Sequence, residues 1–333
     1  MDKISMFPSN IFIVFLCFLL TSGLGIIHGS TLVPKKLFVF GDSYADTGNI
    51  RKSLGSSWKE PYGFTFPGKP AGRFSDGRVL TDYLAKFLGL KTPLAYEWMK
   101  LGGKKIDNGL NFAYGGTGVF DTLGGLLPNM STQIDFLENL MNQSLYTKSD
   151  LQSSVVLVCL AGNDYAAYGL QNYIPLVINQ LALNLKRING LGASKIVVTA
   201  LQPLGCLPRM TRMSSFQQCN ATQNLLVGYH NSLLQQAVAQ LNNETKSPTF
   251  FILDLYSTFT SVLQQKGEFQ GDLKFETPLK PCCMGINNTY SCGSVDEKGN
   301  KMYTICSNPK SSFFWDLSHP TQAGWGAVYA SLK

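Results

Sequence analysis

A chain of 333 residues with 44% hydrophobic and 15% charged residues has ample material for a core and too few charges for a disordered protein. The formal net charge of +7 is mild, and the basic residues are scattered, with Lys-Lys pairs at 35–36 and 104–105 but no basic run, so nucleic acid is excluded as an expected partner. The length fits one large α/β domain.

The N-terminus comes first. After Lys3, the apolar block IFIVFLCFLL (11–20) precedes TSGLGIIHGS, whose small residues suit cleavage by a signal peptidase. The expectation is a secretory signal peptide over residues 1–29, leaving 30–333 as one domain of a secreted, extracellular protein. An uncleaved anchor is the alternative, because Ile11 to Ile27 approaches the length of a span, but glycines and Thr21-Ser22 interrupt it. No later stretch is apolar for long enough to cross a membrane, so no stable span is expected after signal removal.

Short runs rich in β-branched and aromatic residues then alternate with amphipathic ones. KLFVFGDS (36–43), GLNFAYGG (109–116), SSVVLVCLAGND (153–164), SKIVVTALQP (194–203) and TFFILDLY (249–256) read as buried strands. Residues 76–90, 131–143, 173–190 and 222–243 show helical spacing, and a last helix is expected after Pro320. In 222–243 the apolar stripe reads Leu226, Tyr229, Leu233, Ala237 and Leu241. Strands alternating with helices predict a parallel sheet covered on both faces, with any ligand beyond the carboxyl ends of the strands. The first three strands end there in Gly-Asp-Ser, Gly-Gly and Gly-Asn-Asp.

The cysteines agree with export. Seven remain without Cys17: Cys159 lies in an apolar strand and is expected to be a buried thiol, Cys206 and Cys219 flank a short excursion, and Cys282, Cys283, Cys292 and Cys306 crowd a Gly- and Asn-rich loop. Three disulfides and one free thiol are predicted, with Cys206 joined to Cys219 and the pairing in 282–306 open. Five N-glycosylation sequons begin at Asn129, Asn142, Asn220, Asn243 and Asn287, and each must lie on the surface to be used.

Ser43 follows a strand and a glycine, so its hydroxyl can emerge at the sheet edge. A serine hydroxyl needs a base within hydrogen-bonding reach to become a nucleophile; by itself, Gly-Asp-Ser also describes a serine that merely caps the next segment. The chain has no G-x-S-x-G elbow. Of the three histidines, His28 falls in the signal segment and His230 sits mid-helix between Leu226 and Leu233, a packing position. His319 differs. It lies in WDLSHPT, where the residue before proline avoids helical geometry, and the Asp-x-x-His spacing can bring the Asp316 carboxylate to imidazole Nδ1. Alternatively, Asp316 caps the final helix and His319 is exposed. With two histidines left and no H-E-x-x-H, a metal site is not expected.

The order of Gly-Asp-Ser near the mature N-terminus, GLNFAYGGTGVFD, AGNDY and Asp-x-x-His-Pro, together with GKPAGRFSDGRVLTDYLA, resembles the plant GDSL esterase/lipases among the SGNH hydrolases, from about Leu37 to the C-terminus. The resemblance implies a flavodoxin-like three-layer α/β/α sandwich on a five-stranded parallel sheet. It implies a serine esterase or lipase that works through an acyl-enzyme without a cofactor, on small-molecule, lipid or acylated-polysaccharide esters. Carried over by position, it makes Ser43 the nucleophile, His319 the base and Asp316 its orienting partner. The oxyanion donors become the Ser43 N–H, a glycine N–H of YGGTG (Gly116 taken over Gly115) and the Asn163 amide. Asp42 is expected to scaffold the turn. An acyltransferase using the same residues, or an idle binding protein on the same fold, are the competing expectations.

Overall fold

Alternation of side chains along the strands decides how the layers assemble. The computed structural model describes residues 34–102, 107–160, 162–264 and 275–332; the expected signal peptide lies outside them. The strands are β1 (Leu37–Gly41), β2 (Leu94–Ala95), β3 (Leu110–Asn111), β4 (Val155–Cys159), β5 (Ile196–Thr199) and β6 (Phe250–Leu253), and two more, β7 (Cys283–Gly285) and β8 (Tyr303–Ile305), form a separate antiparallel pair. The α-helices are α1 (Leu80–Phe87), α2 (Tyr96–Gly102), α3 (Met130–Asn142), α4 (Lys148–Gln152), α5 (Asn163–Tyr168), α6 (Leu170–Gly190), α7 (Pro208–Thr211), α8 (Ala221–Thr245), α9 (Leu255–Gln264) and α10 (Gln322–Ser331).

The main sheet runs β2-β3-β1-β4-β5-β6 with every neighbouring pair parallel. All five predicted strands are present. The sixth, β2, is a two-residue edge strand whose Leu94 and Ala95 pair with Leu110 and Asn111, too short to leave a periodic signal in the sequence. Leu37, Phe38, Val39 and Phe40 are all fully buried, as a strand covered on both faces must be. On one face, Phe38 meets Tyr146 beyond α3, and Phe40 stacks on Phe112. On the other, Val155, Val197 and Phe251 meet residues of α1 and α10. Helices α3, α6 and α8 pack together on the first face, and α1, α9 and α10 on the second, where Phe259 meets Trp325 edge-on. This is the three-layer α/β/α sandwich.

In α8 the buried positions are Val227, His230, Asn231, Leu234, Val238 and Leu241. The expected stripe was therefore rotated: Tyr229 is 50% exposed, and Leu226, Leu233 and Ala237 are only partly buried. Two polar residues in the core face misled the apolar pattern, and both are paired. The Asn231 side chain accepts from the Leu201 N–H (2.8 Å) and donates to the Leu201 carbonyl (2.9 Å), continuing the edge of β5. His230 Nδ1 is bonded to the Tyr165 hydroxyl.

Burial pushes His230 down to about 4. A histidine with a depressed folded-state pKa contributes stability that is complete above its unfolded value of about 6.5 and is lost as pH falls toward 4. We expect His230→Gln to flatten the pH dependence of stability between those limits, where the wild type should lose up to about 3 kcal/mol through this group. Denaturant midpoints at pH 7, 5.5 and 4.5 check this; parallel curves for the two proteins would refute it.

The disulfides are Cys206–Cys219, as expected, with Cys282–Cys306 and Cys283–Cys292 resolving the open pairing; Cys159 is a buried free thiol. The two bridges in 282–306 staple the β7-β8 hairpin behind the last loop of the chain, where the Cys282 and Cys283 N–H groups donate to the carbonyls of Phe314 (2.9 Å) and Trp315 (2.7 Å). No helix among the described residues is long and apolar enough to cross a membrane.

Candidate active site

β1 ends in a glycine because nothing else fits. Gly41 has φ +146°, and a Cβ there would stand 2.0 Å from the Cys159 carbonyl oxygen of β4. The buried Gln133 of α3 clamps this residue, accepting from its N–H (2.9 Å) and donating to its carbonyl (3.0 Å). The chain then turns. The Asp42 carbonyl accepts from the N–H groups of Ala45 (3.0 Å) and Asp46 (2.8 Å), and its carboxylate accepts from the Tyr44 N–H (3.0 Å). Asp42 thus scaffolds the turn that carries Ser43, and Ser43 caps no described helix.

Three buried polar residues lock this turn to the segment after β3. Asp46 accepts backbone N–H bonds from Gly48, Asn49, Ile50 and Gly115 at 2.7–3.1 Å. Burial pushes its carboxyl up to about 6 even against the pull of those donors. The Asn49 amide donates to the carbonyls of Asn111 (2.7 Å) and Ala113 (2.9 Å), and Asn111 donates back to the Ala45 carbonyl (2.7 Å). Sequence reasoning passed over Asp46, Asn49, Asn111 and Gln133. The available signal was a set of acids and amides spaced through glycine-rich strand ends, where backbone N–H and C=O groups need partners.

The third block joins the same corner. Asn163 opens α5 just beyond β4, and its amide donates to Asp42 Oδ2 (3.1 Å) and the Thr117 carbonyl (3.0 Å). Asp164 accepts from the N–H groups of Val119 and Phe120, both at 3.0 Å. The Gly115 N–H is held by Asp46, whereas Gly116, at φ +88°, turns the chain with its carbonyl accepting from the Thr122 hydroxyl (2.6 Å).

The fourth element is a tight loop. The Trp315 N–H donates to the His319 carbonyl (2.7 Å), closing residues 316–319 into a turn, and Thr321, not Asp316, caps α10. Asp316 Oδ1 accepts from the N–H groups of Ser318 and His319, both at 2.8 Å, and both carboxylate oxygens lie 2.8 Å from His319 Nδ1. His319 Nε2 stands 2.9 Å from Ser43 Oγ. The Tyr44 hydroxyl donates to the Ser318 carbonyl (2.8 Å), and Arg209 donates its side chain to Ser318 Oγ (2.6 Å). Burial raises the proton affinity of Asp316, but the charge and hydrogen bond of His319, the Tyr62 hydroxyl and the Ser318 N–H outweigh it and bring the carboxyl to about 2. Asp316 is therefore an anion beside the imidazole at any pH of interest. The expected Ser43, Asp316 and His319 come together; His230 lies away from them in the core.

A serine, an imidazole and a carboxylate bonded in series at the carboxyl ends of a parallel α/β sheet form an arrangement that can turn a serine hydroxyl into a nucleophile. A family model described as GDSL-like Lipase/Acylhydrolase matches residues 37–332. The chain belongs to that family, and it is a carboxylic ester hydrolase. It is similar to two GDSL esterase/lipases of Arabidopsis thaliana, at 58% identity over 90% of this chain and 86% of the relative, and at 54% over 90% and 88%. It is also 30% identical to acetylajmalan esterase 2 of Rauvolfia serpentina, over 86% of each chain.

Proposed function

We propose that Ser43 attacks the ester carbonyl while His319 Nε2 takes its proton, and that Asp316 holds the imidazole in the tautomer this requires. The observation that carries the reading is the continuous bonded series from Ser43 Oγ through His319 to Asp316. The tetrahedral oxyanion is held by the N–H groups of Ser43 and Gly116 and by the Asn163 amide. Asp42 and the Thr117 carbonyl keep that amide aimed; a full negative charge is a stronger acceptor than the neutral carbonyl and takes over one N–H. Collapse expels the alcohol, which leaves with the proton from His319. Water then attacks the acyl-Ser43 ester, giving its proton to His319, and the acid departs as Ser43 recovers its hydrogen.

Leu123 and Leu126 are 60% and 65% exposed, and a Cβ on Gly116 would lie 2.8 Å from Leu123 Cδ1. The exposed Leu123 beside the proposed oxyanion glycine, in an apolar segment that also exposes Leu126, favours an acyl chain, as in a lipid ester, over an acetyl group on a polysaccharide. The protein is a secreted single domain, residues 30–333, released from a signal peptide of residues 1–29, and the three disulfides suit that compartment. Asn142, Asn220, Asn243 and Asn287 are exposed and open to glycosylation, while Asn129 is half-buried and donates its amide to Asp121.

One preparation tests the reading. Protein expressed through a eukaryotic secretory pathway should appear in the medium, lose mass on deglycosylation and react with a fluorophosphonate at Ser43. Retention inside the cell sinks the localisation. Labelling elsewhere, or none in an active preparation, sinks the mechanism.

A further inference from the structure

Beyond the three residues that form the bonded series, the Asp316 carboxylate has one more side-chain partner: the Tyr62 hydroxyl, which donates to Oδ2 at 2.7 Å. Tyr62 is 3% exposed, and its ring stands edge-on to Phe74 and Trp315, each with centroids 6.3 Å away. Phe74 in turn stacks on the His319 imidazole at 5.0 Å and 30°. Behind Tyr62 lies the stapled hairpin, where a Cβ on Gly293 would come within 3.7 Å of the Tyr62 ring. The tyrosine is thus wedged between the disulfide-bound segment and the acid of the catalytic loop.

We propose that Tyr62 is a positioning residue of the hydrolase, fixing the Asp316 carboxylate and moderating its hold on the His319 proton. The inference rests on the reading of Asp316 as the orienting carboxylate. Oδ1 is already held by the loop's own N–H groups; Oδ2 has no backbone donor among the bonds described, so without Tyr62 it keeps only its contact with the imidazole. The phenol also shares the negative charge. A carboxylate relieved of that donor concentrates more charge toward Nδ1 and binds the imidazolium more tightly, so the acid side of the activity profile moves to higher pH. The other groups facing the loop are Tyr44 and Asp42 from the nucleophile turn and Arg209 from α7; they remain in place when the Tyr62 hydroxyl is removed.

Tyr62→Phe deletes the hydroxyl and keeps the ring. On a short-chain ester, kcat should fall roughly tenfold with KM little changed, and the acid limb of kcat/KM should move up by about half a pH unit. The resting enzyme gives a second readout, a changed chemical shift for the His319 Nδ1 proton by NMR. An unmoved acid limb and an unchanged proton shift overturn the proposal, even if kcat drops, because loss of packing alone moves neither. Ser43→Ala is assayed alongside. If it stays active, the mechanism fails and this inference with it; if it is dead while Tyr62→Phe matches the wild type, only the role of Tyr62 is lost.

Discussion

Ser43→Ala and His319→Ala are each expected to abolish nearly all turnover, a loss on the order of 10⁶ in kcat, with the double variant losing little more. In the proposed mechanism the two groups act in one proton transfer across 2.9 Å, so removing either leaves the other without a task. Asp316→Asn should cost about 10⁴. Its amide would keep Oδ1 as an acceptor for the loop N–H groups but turn an NH₂ toward His319 Nδ1, forcing the proton onto Nε2, where it cannot take one from serine. Steady-state rates on an acetyl or butyryl ester measure all of these. Substantial activity in folded His319→Ala, or strictly additive losses in the double variant, would overturn the assignment.

Asn163→Ala should lower kcat by about two to three decades, roughly 3–4 kcal/mol of transition-state stabilisation, with KM close to wild type. In the proposed mechanism the donor acts on charge that exists only after attack, so the ground state barely feels its loss. Asn163→Asp should be worse, since a second carboxylate beside Asp42 would meet both that anion and the oxyanion. A change confined to KM would show that Asn163 binds substrate and does not stabilise the oxyanion.

The parts of the site legible in the sequence were those with a local signature. Gly41, Ser43, Asn163 and the Asp316–His319 pair all stand at strand ends or in a single turn, where glycine and small polar residues have a reason to be. The sandwich was legible for the same reason, because Val and Phe runs such as LFVFG are too apolar to be half-buried. What stayed hidden depends on partners far along the chain. Tyr62 meets Asp316 across 254 positions, Gln133 meets Gly41 across 92, and no spacing rule connects them. The face of α8 was misread because His230 and Asn231 occupy core positions that only their bonds to Tyr165 and Leu201 make tolerable. A sixth strand of two residues is defined by its neighbour more than by its own side chains.

The proposed base and its acid share one four-residue turn, closed by the bond from Trp315 N–H to the His319 carbonyl, whereas the proposed nucleophile stands at the end of β1, 276 positions earlier in the chain. The tolerances of the machine are therefore unequal. Imidazole and carboxylate are registered to each other by their own loop, with Tyr62 and Phe74 bracing them from outside it, so they travel as a cartridge whose mutual alignment is better guarded than its distance to the serine. Positional error then falls mainly in the gap between that cartridge and the serine, which is bridged by the Ser43–His319 contact and, beside it, by the Tyr44 hydroxyl bond to the Ser318 carbonyl. Warming or mild denaturant should accordingly silence the enzyme by widening one seam while both halves on either side of it stay in working order.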